Sequence, residues 1–163
     1  MGCPYEGEID SSVVNYVAQR QLQIDCHEIS LGDTIGIGTT EKTQQLLDTV
    51  EGERSMLAAH FHNTYGRAVE NYVVALAGGV SVLDSSVAGL GGCPYAQGAS
   101  GNVATEDVVF MCELLGISHG IDAHQMCDVG DYISGELGRE NLAKASKRDF
   151  EEIENFKREL EKQ

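Results

Sequence analysis

The stretch SMLAAHFHNTYG, Ser55 to Gly66, runs from a short apolar segment directly into two histidines spaced by one residue. The apolar run reads as a strand over 55–61, and the asparagine and glycine after it read as a turn. Side chains at i and i+2 of a strand point to the same face. His60 and His62 can therefore reach one ion without a helix to arrange them. They can equally form a hydrogen-bonded pair in the core, and the spacing alone leaves both readings open.

Working outward, the pattern repeats. A helix is predicted over 67–77, and a second strand, VSVL, over 80–83, running into DSSVAGLGG. Upstream, residues 27–31, centred on Ile29, read as a buried strand that ends at Gly32 and Asp33. A turn, GDTIGIG, and a helix over 41–50 with Leu46, Leu47 and Val50 on one face connect it to Ser55. Near the N-terminus, Ser11 and Ser12 are candidate caps for a helix carrying Val13, Val14 and Val17. Another helix is predicted over 105–115, with Asn102 or Thr105 near its start.

Short apolar strands alternating with helices predict an α/β fold with a parallel sheet and helical crossovers. Each strand runs into polar residues at its C-terminal end: Asp33, then His60 and His62, then Asp84, Ser85 and Ser86. Sites in that position are typical of (β/α)8 barrels. Three strands cannot close a barrel, which takes about 250 residues. The expectation is either a small open sheet or the later part of a barrel. From Ile121 the pattern is helical. The closing KRDFEEIENFKRELEKQ carries Phe150, Ile153, Phe156 and Leu160 as one stripe among charges, so residues 148–163 form either a partner helix or a solvated terminal one.

Composition narrows the partners. Of 163 residues, 26 are acidic and 11 basic, a formal net charge of −15. That argues against nucleic acid and against an anionic membrane surface. No apolar run approaches the ~18 residues of a spanning helix. Five cysteines at irregular spacing do not form a disulfide framework, and a reducing compartment is expected. The opening MGCPYEGEID has neither a basic region before an apolar one nor an Arg-rich character, so no targeting segment is expected in it.

The loop GGCPYAQGASGN, residues 91–102, places Cys93 among glycines that permit unusual backbone conformations. It is either a reactive thiol on a mobile flap or an incidental small residue. Asn102 offers an amide oxygen, as ligand or as helix cap. Two histidines with oxygen donors suit octahedral Mg²⁺, Mn²⁺ or Co²⁺ better than a closed zinc site. Asp33 and Asp84 are candidates for acid, base or outer-shell partner of a ligating histidine, or for turn and cap roles. GDTIGIG contains no phosphate-binding fingerprint.

Taken together, ISLGDTIGIGT, HFHNTYGRAVENYVVALAGGVSVLDSSVAGLGGCPYAQGASGNVATEDVV and GCPYEG closely resemble the 3-hydroxy-3-methylglutaryl-CoA lyases, over about residues 2–147. The HxH, NTYG and DSSVAGLGG elements are shared more loosely with isopropylmalate, homocitrate and citramalate synthases, while the cysteine loop separates the lyases from them. The resemblance implies a (β/α)8 TIM barrel of which this chain carries the last three βα units and the C-terminal helices. It implies a divalent-metal-dependent retro-Claisen cleavage of 3-hydroxy-3-methylglutaryl-CoA to acetyl-CoA and acetoacetate, a step of leucine degradation and ketone-body formation. His60, His62 and Asn102 then resemble metal ligands for Mg²⁺ or Mn²⁺. Cys93 resembles the active-site thiol, Asp33 a supporting aspartate, and Glu106 a residue that supports the site. A mitochondrial matrix location follows by the same resemblance, with the cytoplasm as the alternative.

The family pattern includes a first half before GCPYEG, with five strands, an acidic metal ligand, an arginine and a glutamate, and no segment here corresponds to it. Exposed strand edges are expected to make the chain pair, with a second copy as a homodimer or with a separate first half. The rival readings are a related Claisen-type synthase, a non-catalytic form acting by association, and an isolated metal-binding module.

Overall fold

The computed structural model describes residues 1–92 and 101–162. Cys93 lies outside the described residues. Two compact units are present: Met1–Asp84 with the described residues between 91 and 102, and Ser85–Leu90 with the described residues from Val103 onward.

In the first unit, GCPYEG turns back on itself. Strands β1 (Gly2–Cys3) and β2 (Gly7–Glu8) pair antiparallel. Helix α1 (Ser11–Leu22) follows, and its cap is Asp10 rather than the predicted serines. The Asp10 carboxylate accepts from the Ser12 backbone N–H at 2.8 Å, satisfying one of the donors that the first helical turn leaves open.

The sheet behind the site has the order β3 (Ile29–Asp33), β4 (Leu57–Phe61), β5 (Val82–Leu83), all parallel. Helix α2 (Thr40–Thr49) connects β3 to β4, and α3 (Ala68–Ala77) connects β4 to β5. This is the expected parallel α/β arrangement with helical crossovers. The strand limits differ from the sequence reading in three places. β3 continues through Gly32 and Asp33, because each pairs with β4, opposite His60 and Phe61. Residues 54–56 form a short 3-10 turn ahead of β4. β5 begins at Val82, since the Val80 N–H is already used: it donates to Ala75 O while Gly79 N–H donates to Leu76 O. That pair of bonds closes α3 in a Schellman motif, with Gly79 at φ 91 in the position that requires left-handed backbone.

Register sorts the sheet into two faces. Ile29, Leu31 and Asp33 are buried, while Ser30 and Gly32 are exposed. On the buried face Phe61 stacks on Tyr72 of α3, with ring centroids 5.1 Å apart. The Tyr72 hydroxyl accepts from Phe61 N–H and donates to Asp84 O, tying the ends of β4 and β5 to one helix. Ala59, Leu31 and Leu57 fill the space behind.

The second unit holds a turn with Val87–Gly89 at its centre and helices α4 (Thr105–Leu115), α5 (Ala123–Glu136) and α6 (Lys147–Leu160). Its core gathers Val109, Cys127 and Phe150, with Phe110, Ala123 and Ala145 packed against them. The cap of α4 is Ala104, whose methyl group makes no capping hydrogen bond, so neither Asn102 nor Thr105 is the cap residue. The buried acids Glu106 and Asp107 occupy its first turn, where carboxylates favour the positive end of the helix. Helix α6 opens on a capping box between Ser146 and Asp149. Its stripe is only half used: Phe150 is buried, whereas Phe156 and Leu160 are exposed.

Candidate metal centre

The site begins with the pleat of β4. Its C-terminal residues put His60 on the open face of the sheet and deliver His62 just beyond the last pair. The two rings lie with centroids 5.3 Å apart, and their Nε2 atoms face each other at 3.3 Å. The backbone holds this arrangement from both sides. His62 N–H donates to Asp33 O at 3.2 Å. His62 also pairs antiparallel with Asn102 in an isolated bridge, and Asn63 N–H donates to Gly101 O at 2.9 Å. Asn102, nineteen residues past the end of β5 and by sequence reading a helix cap or a ligand, is thus fixed beside His62 by the main chain. Gly91, at φ 106, comes so close that a Cβ there would sit 2.7 Å from Asn102 Nδ2.

Electrostatics favour ligation. His62 is 8% exposed, and its Nδ1 is buried without a hydrogen bond of good geometry. Burial, followed by the neighbouring His60, holds its ring below the usual histidine range, against smaller opposing pulls from the Thr34 backbone and the Asp33 charge. Burial thus favours the neutral ring, the form that binds a metal.

His60 is the more open ring. Asp84 Oδ2 lies 3.4 Å from His60 Nδ1, and Ser30 Oγ donates to the same oxygen at 3.1 Å. Ser30 escaped the sequence reading. The signal was the strand alternation, which places it on the face opposite Ile29 and Leu31, the face that carries His60.

Asp33 takes another place than the ring pair. Its carboxylate is 1% exposed on the buried face, and Oδ2 accepts from Gly38 N–H at 2.7 Å, which closes the GDTIGIG turn. Oδ1 is buried without a partner. Asp33 reaches the histidines through its backbone carbonyl. Glu106, in the second unit, is 1% exposed, and both its oxygens accept from Ala88 N–H.

The fit to a divalent ion can be tested on this geometry. Metal–nitrogen bonds of about 2.1 Å at a right angle put two donors about 3.0 Å apart. The 3.3 Å between the Nε2 atoms is close to that span. Among the described residues no group of three His, Cys, Asp or Glu side chains converges, so the donor set is two imidazoles with Asn102 beside one of them. Two nitrogens plus oxygens suit an ion that keeps open positions. Among the described residues no helix is long and apolar enough to cross a membrane.

The chain is similar to known proteins over most of its length. Residues 1–133 match the HMGL-like family. The chain is 50% identical over 149 residues to a 3-hydroxy-3-isohexenylglutaryl-CoA/hydroxy-methylglutaryl-CoA lyase of Pseudomonas aeruginosa, covering 90% of this chain and 50% of the relative. It is 52% identical over 148 residues to the mitochondrial hydroxymethylglutaryl-CoA lyase of Gallus gallus, with the same coverage on both sides. The crystal structure of the hydroxymethylglutaryl-CoA lyase from Pseudomonas aeruginosa superposes with a TM-score of 0.86 at 48% identity, covering 93% of this chain and 51% of that one. An HMG-CoA lyase from Acinetobacter baumannii in complex with coenzyme A and 3-methylmalate superposes with a TM-score of 0.83 at 35% identity, covering 88% and 48%. The chain spans about half the length of the curated relatives it matches. A paired-histidine strand end, a parallel βα frame and this degree of identity lead to one conclusion: the chain belongs to the HMGL-like family, whose fold is the TIM barrel.

Proposed function

We propose that this chain carries the metal-binding segment of a hydroxymethylglutaryl-CoA lyase, an enzyme that cleaves 3-hydroxy-3-methylglutaryl-CoA to acetyl-CoA and acetoacetate. The observation that supports it is the convergence of His60 Nε2 and His62 Nε2 at the C-terminal end of β4, next to Asn102. A divalent ion of the Mg²⁺ or Mn²⁺ class, held by His60, His62 and Asn102, supplies Lewis-acid polarisation of substrate oxygens when bound. His62, buried and neutral, orients one side of that position, and His60 the other.

The bond to break joins C2 and C3 of the acyl chain. Transfer of the C3 hydroxyl proton to a base or to water would let the O–H electron pair form the ketone C=O at C3 of acetoacetate, while the C2–C3 electron pair passes to the acetyl-CoA enolate. Cys93 is the proposed proton carrier, delivering its Sγ proton to C2. Asp33 supports the site by fixing the turn after β3. The thioester substrate is the proposed partner, and a CoA ester agrees with the coenzyme A bound to the Acinetobacter enzyme. The methyl-bearing substrate is proposed over the longer isohexenyl one for which the Pseudomonas relative is also named. The proposed compartment is the mitochondrial matrix; the chicken relative is named as mitochondrial.

The test is release of acetyl-CoA from 3-hydroxy-3-methylglutaryl-CoA in the presence and absence of Mn²⁺. Ion-dependent release that disappears in His60→Ala supports the reading. Absence of release while Mn²⁺ still binds contradicts cleavage by this chain and leaves the metal centre standing.

A further inference from the structure

We infer that Asp84 is a positioning residue for His60: with Ser30 it fixes the His60 proton on Nδ1 and so turns the Nε2 lone pair toward the metal position. This deepens the proposed metal centre and rests on it for its purpose, though not for its test.

The inference stands on three contacts made on one face of the sheet. Ser30 lies on β3, His60 on β4, and Asp84 directly after β5, so the three come from three consecutive parallel strands. Ser30 Oγ donates to Asp84 Oδ2 at 3.1 Å. The same oxygen lies 3.4 Å from His60 Nδ1. On the far side of the ring, His60 Nε2 lies 3.3 Å from His62 Nε2. Asp84 is further pinned through its main chain, since its N–H donates to Ala59 O at 2.9 Å and its carbonyl accepts from Tyr72. Its carboxylate therefore approaches the ring from a fixed base.

Tautomer logic gives these distances a chemical meaning. A neutral imidazole has one N–H and one lone pair, and the partner of one nitrogen sets the state of the other. An ionised carboxylate only accepts, so Asp84 beside Nδ1 selects the Nδ1–H tautomer and leaves Nε2 bare. Bare Nε2 is the state that can bind a cation. In the ion-free chain His62 can supply the proton of the 3.3 Å contact from its Nε2, whereas ligation needs its other tautomer, with the proton on Nδ1 toward the Thr34 backbone. Carboxylate–histidine pairs of this kind are the usual outer support of metal-ligating histidines. Asp84 is partly exposed, so its carboxylate can be removed with little loss of packing.

The experiment uses the full chain labelled with ¹⁵N in histidine, together with Asp84→Ala, Asp84→Asn and Ser30→Ala. Long-range ¹H–¹⁵N correlation reads the tautomer of each ring without any ion present. The expected result is an Nδ1–H tautomer for His60 in the wild type, lost in Asp84→Ala and kept in Asp84→Asn, which retains an acceptor oxygen. Titration with Mn²⁺ alone, followed by water-proton relaxation, should then show about 10–100-fold weaker binding for Asp84→Ala. Ser30→Ala should fall between that variant and the wild type. Circular dichroism confirms that each variant folds. A His60 tautomer that is the same in wild type and Asp84→Ala overturns the inference. A wild type that binds no Mn²⁺ contradicts the metal centre, and in that case the tautomer comparison alone decides the role of Asp84.

Discussion

Both carboxylate oxygens of Glu106 accept from a single donor, the backbone N–H of Ala88, at 3.1 and 3.0 Å. Ala88 sits at φ 53, ψ 20, left-handed backbone that costs a residue with a Cβ about 1–2 kcal/mol. The buried carboxylate thus holds a turn that Ala88 would not adopt by itself. Glu106→Ala leaves that N–H buried without a partner, and should lower the unfolding free energy by about 1–3 kcal/mol. Ala88→Gly removes the Cβ penalty against about 0.5–1 kcal/mol of added chain entropy, and should be neutral or stabilising. Urea unfolding of the two variants checks the pair. A clearly destabilised Ala88→Gly would show that the turn is unstrained.

A second prediction concerns Asp33. A Cβ on Gly38 would lie 2.8 Å from Asp33 Oδ2, the oxygen that closes the turn after β3. Gly38→Ala should push that carboxylate off its bond, at a cost of about 1–3 kcal/mol. Because Asp33 also accepts from His62 N–H through its carbonyl, the amide resonance of His62 should move. An unchanged melting temperature together with an unmoved His62 amide would contradict this account of the turn.

The terminal helix α6 offers a simple contrast. Phe150 is 2% exposed and meets Phe110 edge-on at 5.5 Å, whereas Phe156 is 62% exposed. Phe150→Ala should cost about 3–5 kcal/mol. Phe156→Ala should stay within about 0.5 kcal/mol of wild type. Equal losses at both positions would mean that the second half of the stripe is also buried in solution.

Stability should fall on the alkaline side. Burial, with the Asp84 charge adding to it, pushes the Tyr72 hydroxyl up from 10.0 to about 12. Burial and the charges of Glu106 and Asp131 push the Cys127 thiol up from 9.0 to about 11. Both groups keep their protons longer when folded than when unfolded. Above about pH 9 the unfolded chain binds fewer protons than the folded one, so stability decreases as pH rises through that window. The urea midpoint at about pH 11 should lie below that at about pH 8, and a midpoint that holds steady would refute the sign.

What the sequence made legible follows the range of the interactions. The alternation along β4 brought the rings of His60 and His62 together, because a strand's period of two is local. The parallel α/β frame was also legible, from apolar runs separated by helical stretches. Local pattern failed where a distant partner decides. Gly32 and Asp33 look like a turn, yet pairing with His60 and Phe61 draws them into β3. Asn102 looks like a cap, yet His62 takes it as a bridge partner forty residues away in the chain and leaves capping to Ala104. Val80 looks like the start of a strand, yet its N–H serves the end of α3. Ser30 and Ala88 gave no sign of their roles, since the partners Asp84 and Glu106 are brought to them by the fold.

The measurement that bears most directly on the central claim is a titration of the chain with Mn²⁺, read by electron paramagnetic resonance, beside His60→Ala and His62→Ala. With 26 acidic residues on the chain, weak surface binding is expected in all three proteins, and the comparison removes it. The account predicts one tight ion per wild-type chain and its loss in both variants. Identical titrations for the three proteins would show that the facing histidines are a hydrogen-bonded pair and not a metal centre.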